Sequence, residues 1–492
     1  MFKNIKDRIS HAIQTYNSTQ DEDDPKNNNH KNFCVLPFIH LATTTEGTCR
    51  LCCKVSKFNT INKPDGTPYN VNVDSIDDIW NSDHYNEIRD RVLADEQLPE
   101  CATCWREEEI YSSDWSKYKK DELPSKRRIE NQKWLWRDNT KLADNFQTVV
   151  DDPKIRYFDV RLSNLCNLKC RMCWPHFSSQ IVKEQKDFAK AGLPTHYKHY
   201  DVQEWDATLL WQGIENNLIA VEEITFVGGE PTLHEGIDRL LDKLVETGQS
   251  KTIRLKYTTN LTNIQPKTLG YMKHFKNTVI NGSIDGVGKT NDYIRYPSDW
   301  RTIEKNIFKL INLRRVKYKH WRGTSITLTP VIQIYNMFNI HDLVYWYVET
   351  WLGIYHMSKK YFILNLDLLY DPSYLSVKRL NARGRQEWFE NSFVPTLAYI
   401  DQVIDNIDDY DRDSRDYWYI LIELRKKIVN IAIYVGVLVY GEDGKLIPHT
   451  ELKDDDYDKK LAKKLINYTE QLDEHRDQNV QDIIPDFYEY IK

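Results

Sequence analysis

Between residues 154 and 371, short runs of strand composition alternate with stretches of helical period, which restricts this part of the chain to a parallel β-sheet with crossover helices. Six strand candidates stand at 155–163, 223–227, 252–257, 278–284, 325–334 and 361–368. Six such repeats predict an α/β fold built as a partial (β/α)6, TIM-like barrel. About 60 residues separate the first strand from the second, more than an ordinary loop. This insertion, with a helix-like segment at 203–218, could cover the mouth of a site.

Successive strand residues point to opposite faces. A parallel strand buried on both faces is almost wholly apolar. Here Asp159, Arg161 and Ser163 share one parity of the first run, Thr329 and Gln333 one of the fifth, and Asn365 and Asp367 one of the sixth. They are read as lumen positions that either meet a substrate or bond to one another.

At 492 residues the chain has room for two or three domains. The expected divisions are a polar N-terminal extension (1–32), a small cysteine-rich α+β domain (33–112), a charged linker (113–153), the barrel (154–371) and a helical C-terminal region (372–492). The formal charge is −6 with no Lys/Arg block, so nucleic acid is not indicated. No apolar window approaches the roughly 18 residues of a membrane span, and no signal-peptide core opens the chain. A cytoplasmic protein without membrane association is expected. Nine cysteines, an odd number, fall in tight local clusters, which in a reducing compartment points to metal rather than disulfides.

Cys166, Cys170 and Cys173 form Cys-x3-Cys-x2-Cys directly after the first strand. Three thiolates on one short loop can hold three irons of a cubane, whereas four would saturate it. The fourth metal position stays open, as a reactive site requires. Zinc fits poorly without a nearby fourth ligand, although His176 could serve. Gly228, Gly229, Glu230 and Pro231 follow the second strand; glycines there let backbone approach a ligand, and the carboxylate can accept from an ammonium group.

Together these two motifs resemble the radical S-adenosylmethionine (SAM) superfamily. The resemblance implies that Cys166, Cys170 and Cys173 bind a 4Fe-4S cluster whose open iron chelates SAM, and that the Gly228–Pro231 turn meets the SAM amino group. Met172 stands where the family usually has an aromatic residue. By the same resemblance Asn260, Ser283 and Asp285 sit near the ribose and methionyl parts of SAM, and Arg295 pairs with its carboxylate. The plainer reading of these four is turn and cap chemistry at strand ends.

The remaining cysteines are Cys34, Cys49, Cys52, Cys53, Cys101 and Cys104. The two Cys-x2-Cys pairs lie farther apart than the roughly 15 to 20 residues of compact zinc modules. Together with the 76–82 helix start and Arg89, assigned to that helix, this segment resembles the twitch or SPASM module that holds an auxiliary 4Fe-4S cluster. The implied ligands are Cys34, Cys52, Cys101 and Cys104, with Cys49 and Cys53 as alternatives to Cys52. Here the module precedes the barrel instead of following it, as in a subset of twitch-type chains that includes some from tailed phages, where the compartment would be the host cytoplasm.

The resemblance implies a radical SAM enzyme. A one-electron donor such as a flavodoxin or ferredoxin reduces the cluster, SAM is cleaved, and the resulting radical abstracts hydrogen from a substrate that is then oxidised or cross-linked. A peptide or protein is the first expectation for that substrate, and a small molecule or nucleotide the second. A non-catalytic iron-sulfur or zinc protein is the alternative of a different class.

Overall fold

The computed structural model describes residues 32–55, 59–105, 148–197, 200–202, 207–313, 323–352, 362–407, 412–441, 445–449, 452 and 458–492. The polar extension up to residue 31 and residues 113–147 of the charged linker lie outside the described residues.

In chain order the strands that build the site are β1 His40–Thr43, β2 Cys49–Arg50, β3 Tyr157–Arg161, β4 Glu223–Val227, β5 Arg254–Thr259, β6 Asn277–Gly282, β7 Thr324–Leu328, β8 Val331–Ile332, β9 Phe362–Leu364 and β10 Asp367–Leu368. Eight of them make one sheet in the order β2-β1-β3-β4-β5-β6-β7-β9. From β1 to β9 all neighbours are parallel, and β2 runs antiparallel to β1. Among the described residues β2 and β9 do not pair with each other, so the core is an open mixed sheet with flanking helices.

The strand register explains the mixed composition seen in the sequence. One row across the sheet reads Val160, Phe226, Tyr257, Ile280, Ile326 and Phe362, all buried beneath helices. The adjacent row on the opposite face reads Asp159, Thr225, Lys256, Val279 and Ser325. In that second row Asp159 and Thr225 are buried and Lys256, Val279 and Ser325 half-buried.

The fifth and sixth expected strands are each broken in two. Pro330 has no N–H to give a ladder and interrupts the fifth run between β7 and β8. Its carbonyl accepts from Asp367 N at 3.1 Å, and β8 pairs with β10 apart from the main sheet. Gln333 and Asp367 therefore stand outside the row that was expected to line a lumen.

The cysteine-rich segment adds two strands, β1 and β2, to this sheet. Thr43 Oγ1 accepts from Arg161 N at 2.7 Å, and Arg161 Nη1 donates to the Thr43 carbonyl at 3.1 Å. The expected helix from residue 76 is two helices, Ile76–Trp80 and Asp83–Leu93, because Ser82 Oγ accepts from Tyr85 N and caps a new start. Arg89 belongs to the second. It donates to the Pro37 carbonyl at 2.9 Å and lies 4.2 Å from the Trp80 ring.

Within the long insertion, helix Thr208–Asn217 packs on helix Ile76–Trp80. A β-carbon at Gly213 would stand 2.1 Å from Ile76 Cγ1, so the absent side chain permits this contact. The C-terminal region contributes helices Arg412–Val435 and Lys459–Arg476. One apolar core runs through all of these parts, from Phe33 to Ile491. Among the described residues no helix is long and apolar enough to cross a membrane.

Candidate active site at the cysteine loop

Residues 162–174 follow β3 with neither helix nor strand of their own, so their shape is imposed by neighbours. Gly229 N donates to the Ser163 carbonyl at 3.2 Å and Glu230 N to the Leu165 carbonyl at 2.7 Å. Gly228 has φ +121°, and a β-carbon on Gly229 would stand 2.1 Å from the Leu165 oxygen. Only glycine lets the two backbones meet. The cysteine loop and the Gly-Gly-Glu-Pro turn are thus one hydrogen-bonded surface. Ser163 Oγ extends it, accepting from Leu165 N at 2.9 Å and lying 3.1 Å from His234 Nε2.

The thiols of this loop face one another. Burial, then the Cys170 charge, pushes the Cys166 thiol up to about 12. Cys173 is raised in the same way by burial and by Cys170 and Cys166. Three buried thiolates are unfavourable together unless cations share them, which is what an iron cluster provides.

Glu230 is fully buried. Its Oε1 accepts from Thr232 N at 3.2 Å, Thr232 Oγ1 at 2.7 Å and Thr259 Oγ1 at 2.7 Å, and its Oε2 from Asn260 N at 2.7 Å. The carboxylate expected to receive an ammonium group thus ties the end of β4 to the end of β5, and Oε2 is the oxygen with capacity left. Pro231 opens the short turn Pro231–Leu233 that follows.

Asn260 reaches the cysteine loop directly. Its Nδ2 donates to Asn167 Oδ1 at 2.9 Å and lies 4.0 Å from Cys166 Sγ. Arg295 and Asp285 form a buried ion pair at 2.7 Å, and Arg295 Nη1 lies 4.0 Å from Cys170 Sγ. Burial raises the Asp285 carboxyl, opposed by the Arg295 charge. Arg295 therefore holds an internal carboxylate before any ligand arrives. Ser283 is half-buried at the end of β6, its N–H given to the Thr259 carbonyl at 2.8 Å.

A second thiol group lies in the cysteine-rich segment. The Cys101 thiol is raised by burial and then by Cys34, Cys52 and Cys104, and Cys52 is pushed up to about 12 by burial, Cys53 and Cys34. Cys49 stands apart on β2, raised by burial and by Asp74, with no thiol among the causes. The expected four are brought together with Cys53 beside them. No three His, Cys, Asp or Glu among the described residues converge on a single metal ion. A cubane spreads its thiolates over several irons, so both groups suit a cluster better than one ion.

The profile of the radical SAM superfamily matches residues 160–333, and that of the SPASM iron-sulfur cluster-binding domain matches residues 34–105. Residues 160–333 are thus a radical SAM domain and residues 34–105 a SPASM-type iron-sulfur domain. Solved structures similar to it include a histidine-tagged anSMEcpe with bound AdoMet, at 16% identity over 51% of this chain and 60% of that one, with TM-score 0.35. Streptococcus suis SuiB bound to precursor peptide SuiA matches at 17% identity over 62% of this chain and 60% of that one, with TM-score 0.32. The radical SAM methyltransferase TsrM from Kitasatospora setae, with cobalamin and a 4Fe-4S cluster bound, matches at 9% identity over 64% and 52%, with TM-score 0.31. The chain spans about 60% of the length of the first of these structures. No curated protein matches it.

Several residues at the loop are not legible in the sequence. Arg171, between the second and third cysteines, bonds to Asp473 and Gln478, and Tyr468 donates to the Arg171 carbonyl. Nothing local could have signalled them, since the partners stand about three hundred residues apart.

Proposed function

We propose that this chain reductively cleaves SAM at a 4Fe-4S cluster held by Cys166, Cys170 and Cys173, and uses the resulting radical to oxidise or cross-link a peptide or protein. The observation that carries this reading is the direct backbone bonding of the cysteine loop to the Gly228-Gly229-Glu230-Pro231 turn. A purely structural thiol site has no need of a glycine-walled cradle beside it. The cluster, when bound, would supply the electron for SAM cleavage; this chain's residues hold its thiolates, orient SAM and exclude water.

In this reading Gly228 and Gly229 offer backbone to the SAM amino group, and Arg295 keeps part of its guanidinium for the SAM carboxylate. Asn260, Ser283 and Asp285 border the same cradle. The six parallel strands form the partial barrel of a domain at 154–371, and residues 33–112 form an auxiliary domain whose cluster is held by Cys34, Cys52, Cys101 and Cys104. The separation of Cys49 from the other thiols supports that ligand choice. A flavodoxin- or ferredoxin-like donor would supply the electron, in a reducing cytoplasm. On the polar face of the sheet Asp159 is already paired with Arg161 at 2.9 Å, so the half-buried Lys256 and Ser325 are the groups of that row suited to a peptide.

Iron and sulfide are counted after anaerobic reconstitution, with SAM cleavage followed in parallel. About eight irons are expected, falling to about four with loss of 5′-deoxyadenosine when Cys166, Cys170 and Cys173 are all changed to alanine. Zinc in place of iron, or cleavage untouched by the triple substitution, would overturn the assignment.

A further inference from the structure

We propose that helix Lys459–Arg476 is a clamp that holds the cysteine loop in its cluster-binding shape, with Asp473 and Tyr468 as positioning residues acting through Arg171. The inference rests on the cluster reading of that loop and gives a role to the C-terminal region, which the sequence motifs leave unexplained.

The residues between the cysteines carry the argument. Arg171 is fully buried. Its Nη2 bonds to Asp473 Oδ1 and, at 2.9 Å, to Gln478 Oε1, and its Nε donates to the Tyr293 carbonyl at 3.1 Å. The guanidinium lies 3.7 Å from the centre of the Tyr293 ring. Asp473 is itself fixed, since Tyr293 Oη donates to its Oδ1 at 2.9 Å and Val480 N to its Oδ2 at 2.8 Å. Tyr468 Oη donates to the Arg171 carbonyl at 2.5 Å.

Lys169 is held by a second branch of the same helix. Its Nζ lies 3.1 Å from Glu184, and Arg476 grips both Glu184 oxygens at 2.9 and 2.8 Å. On the backbone side, Lys169 N donates to the Tyr296 carbonyl at 2.7 Å and Arg171 N to the Ile294 carbonyl at 2.8 Å. A loop without secondary structure, carrying buried thiols that repel when ionised, is therefore fastened at every second residue between its first and last cysteine. Bidentate and buried charge-assisted bonds of this kind are rigid and directional.

A buried ion pair that only adds general stability would show the same contacts, so the test reads the loop itself. In the metal-free full-length chain, alkylation of each cysteine by N-ethylmaleimide is timed and mapped by mass spectrometry. Asp473→Asn and Tyr468→Phe should each speed labelling of Cys166, Cys170 and Cys173 about tenfold through local opening, and leave buried Cys49 unchanged. Asp473→Glu should bring the rates back toward wild type. Asp401→Asn, which opens the ion pair with Arg425 elsewhere in the C-terminal region, should leave the loop rates alone.

In reconstituted protein, Asp473→Asn should raise the reduction potential of the loop cluster, because removing a negative charge nearby favours the reduced form. Labelling that does not change in either variant, or that rises equally at Cys49, overturns the clamp. Should Asp473→Asn fail to fold, Tyr468→Phe decides alone, since it removes one hydroxyl. The alkylation readout needs no iron, so its failure is distinct from a failure of the cluster assignment, which the iron count reads.

Discussion

Gly229 lies so close to Leu165 that a β-carbon on it would stand 2.1 Å from the Leu165 carbonyl oxygen. The obstacle is backbone, so no rotamer change can relieve it. Gly229→Ala is therefore expected to push the cysteine loop away from the turn by a substantial fraction of an ångström. Misplacement of that order can cost about a hundredfold in rate. We expect SAM cleavage to fall by about that factor while the irons of the N-terminal thiol group are retained. Wild-type cleavage in the alanine variant would mean that the two motifs do not act as one surface.

The N-terminal thiols give a sharper prediction about ligand choice. Cys49 is wholly buried on β2 and has only Asp74 as a charged influence, whereas Cys101 is raised by three other cysteines. Cys49→Ala should leave the iron count at about eight and cost about 1 kcal/mol of stability, the usual size of a single buried change. Cys101→Ala should lower the count to about four. Iron lost in Cys49→Ala with Cys101→Ala unaffected would reverse this assignment.

What could be read from the sequence was whatever repeats locally. Strand β4 is legible to the residue because Glu223–Val227 is a short β-branched and aromatic run closed by two glycines. The breaks in the fifth and sixth runs are not legible, because the composition on both sides of Pro330 still favours strand. Both cysteine groups stand out in the sequence by spacing, whereas Asn260 and Arg295 enter only through the family resemblance. The donors that reach Glu230 from Thr259 and Asn260 on the next strand are not legible in the sequence, because only the parallel register creates that pairing. The Arg171 clamp was illegible because it depends on how the last helices return to the sheet.

His196 predicts a pH dependence. Burial lowers its pKa to about 4, and the ring packs edge-on against Tyr468 at 4.6 Å. The folded chain thus holds it neutral where the unfolded chain, near 6.5, would protonate it. The unfolded state binds more protons between these values, so stability is full above about 6.5 and is lost as the pH falls toward about 4. For a partly solvated ring we expect the loss to be about 1–2 kcal/mol after screening. Urea melts at pH 7 and pH 5 should therefore differ more for wild type than for His196→Phe. Equal differences in the two proteins would assign the acid sensitivity to other groups.

The contact between Gly213 and Ile76 predicts how firmly the insertion is docked. A β-carbon at Gly213 would stand 2.1 Å from Ile76 Cγ1 and 2.5 Å from its Cβ, inside a contact between two short helices. Helical propensity alone would make Gly213→Ala stabilising, by up to about 1 kcal/mol. Overpacking against a buried isoleucine costs about 1–3 kcal/mol, so the net effect is expected to be destabilising. Shortening the partner to alanine removes the Cγ1 contact but keeps the Cβ, so it should recover part of the loss. Gly213→Ala with Ile76→Ala in the same chain is expected to be more stable than the sum of the two single changes implies, a coupling of the size seen between touching residues. Chemical denaturation of the four proteins of this cycle measures it. Simple additivity would mean that the two helices do not meet in solution, and that the insertion is held to the cysteine-rich segment by other contacts.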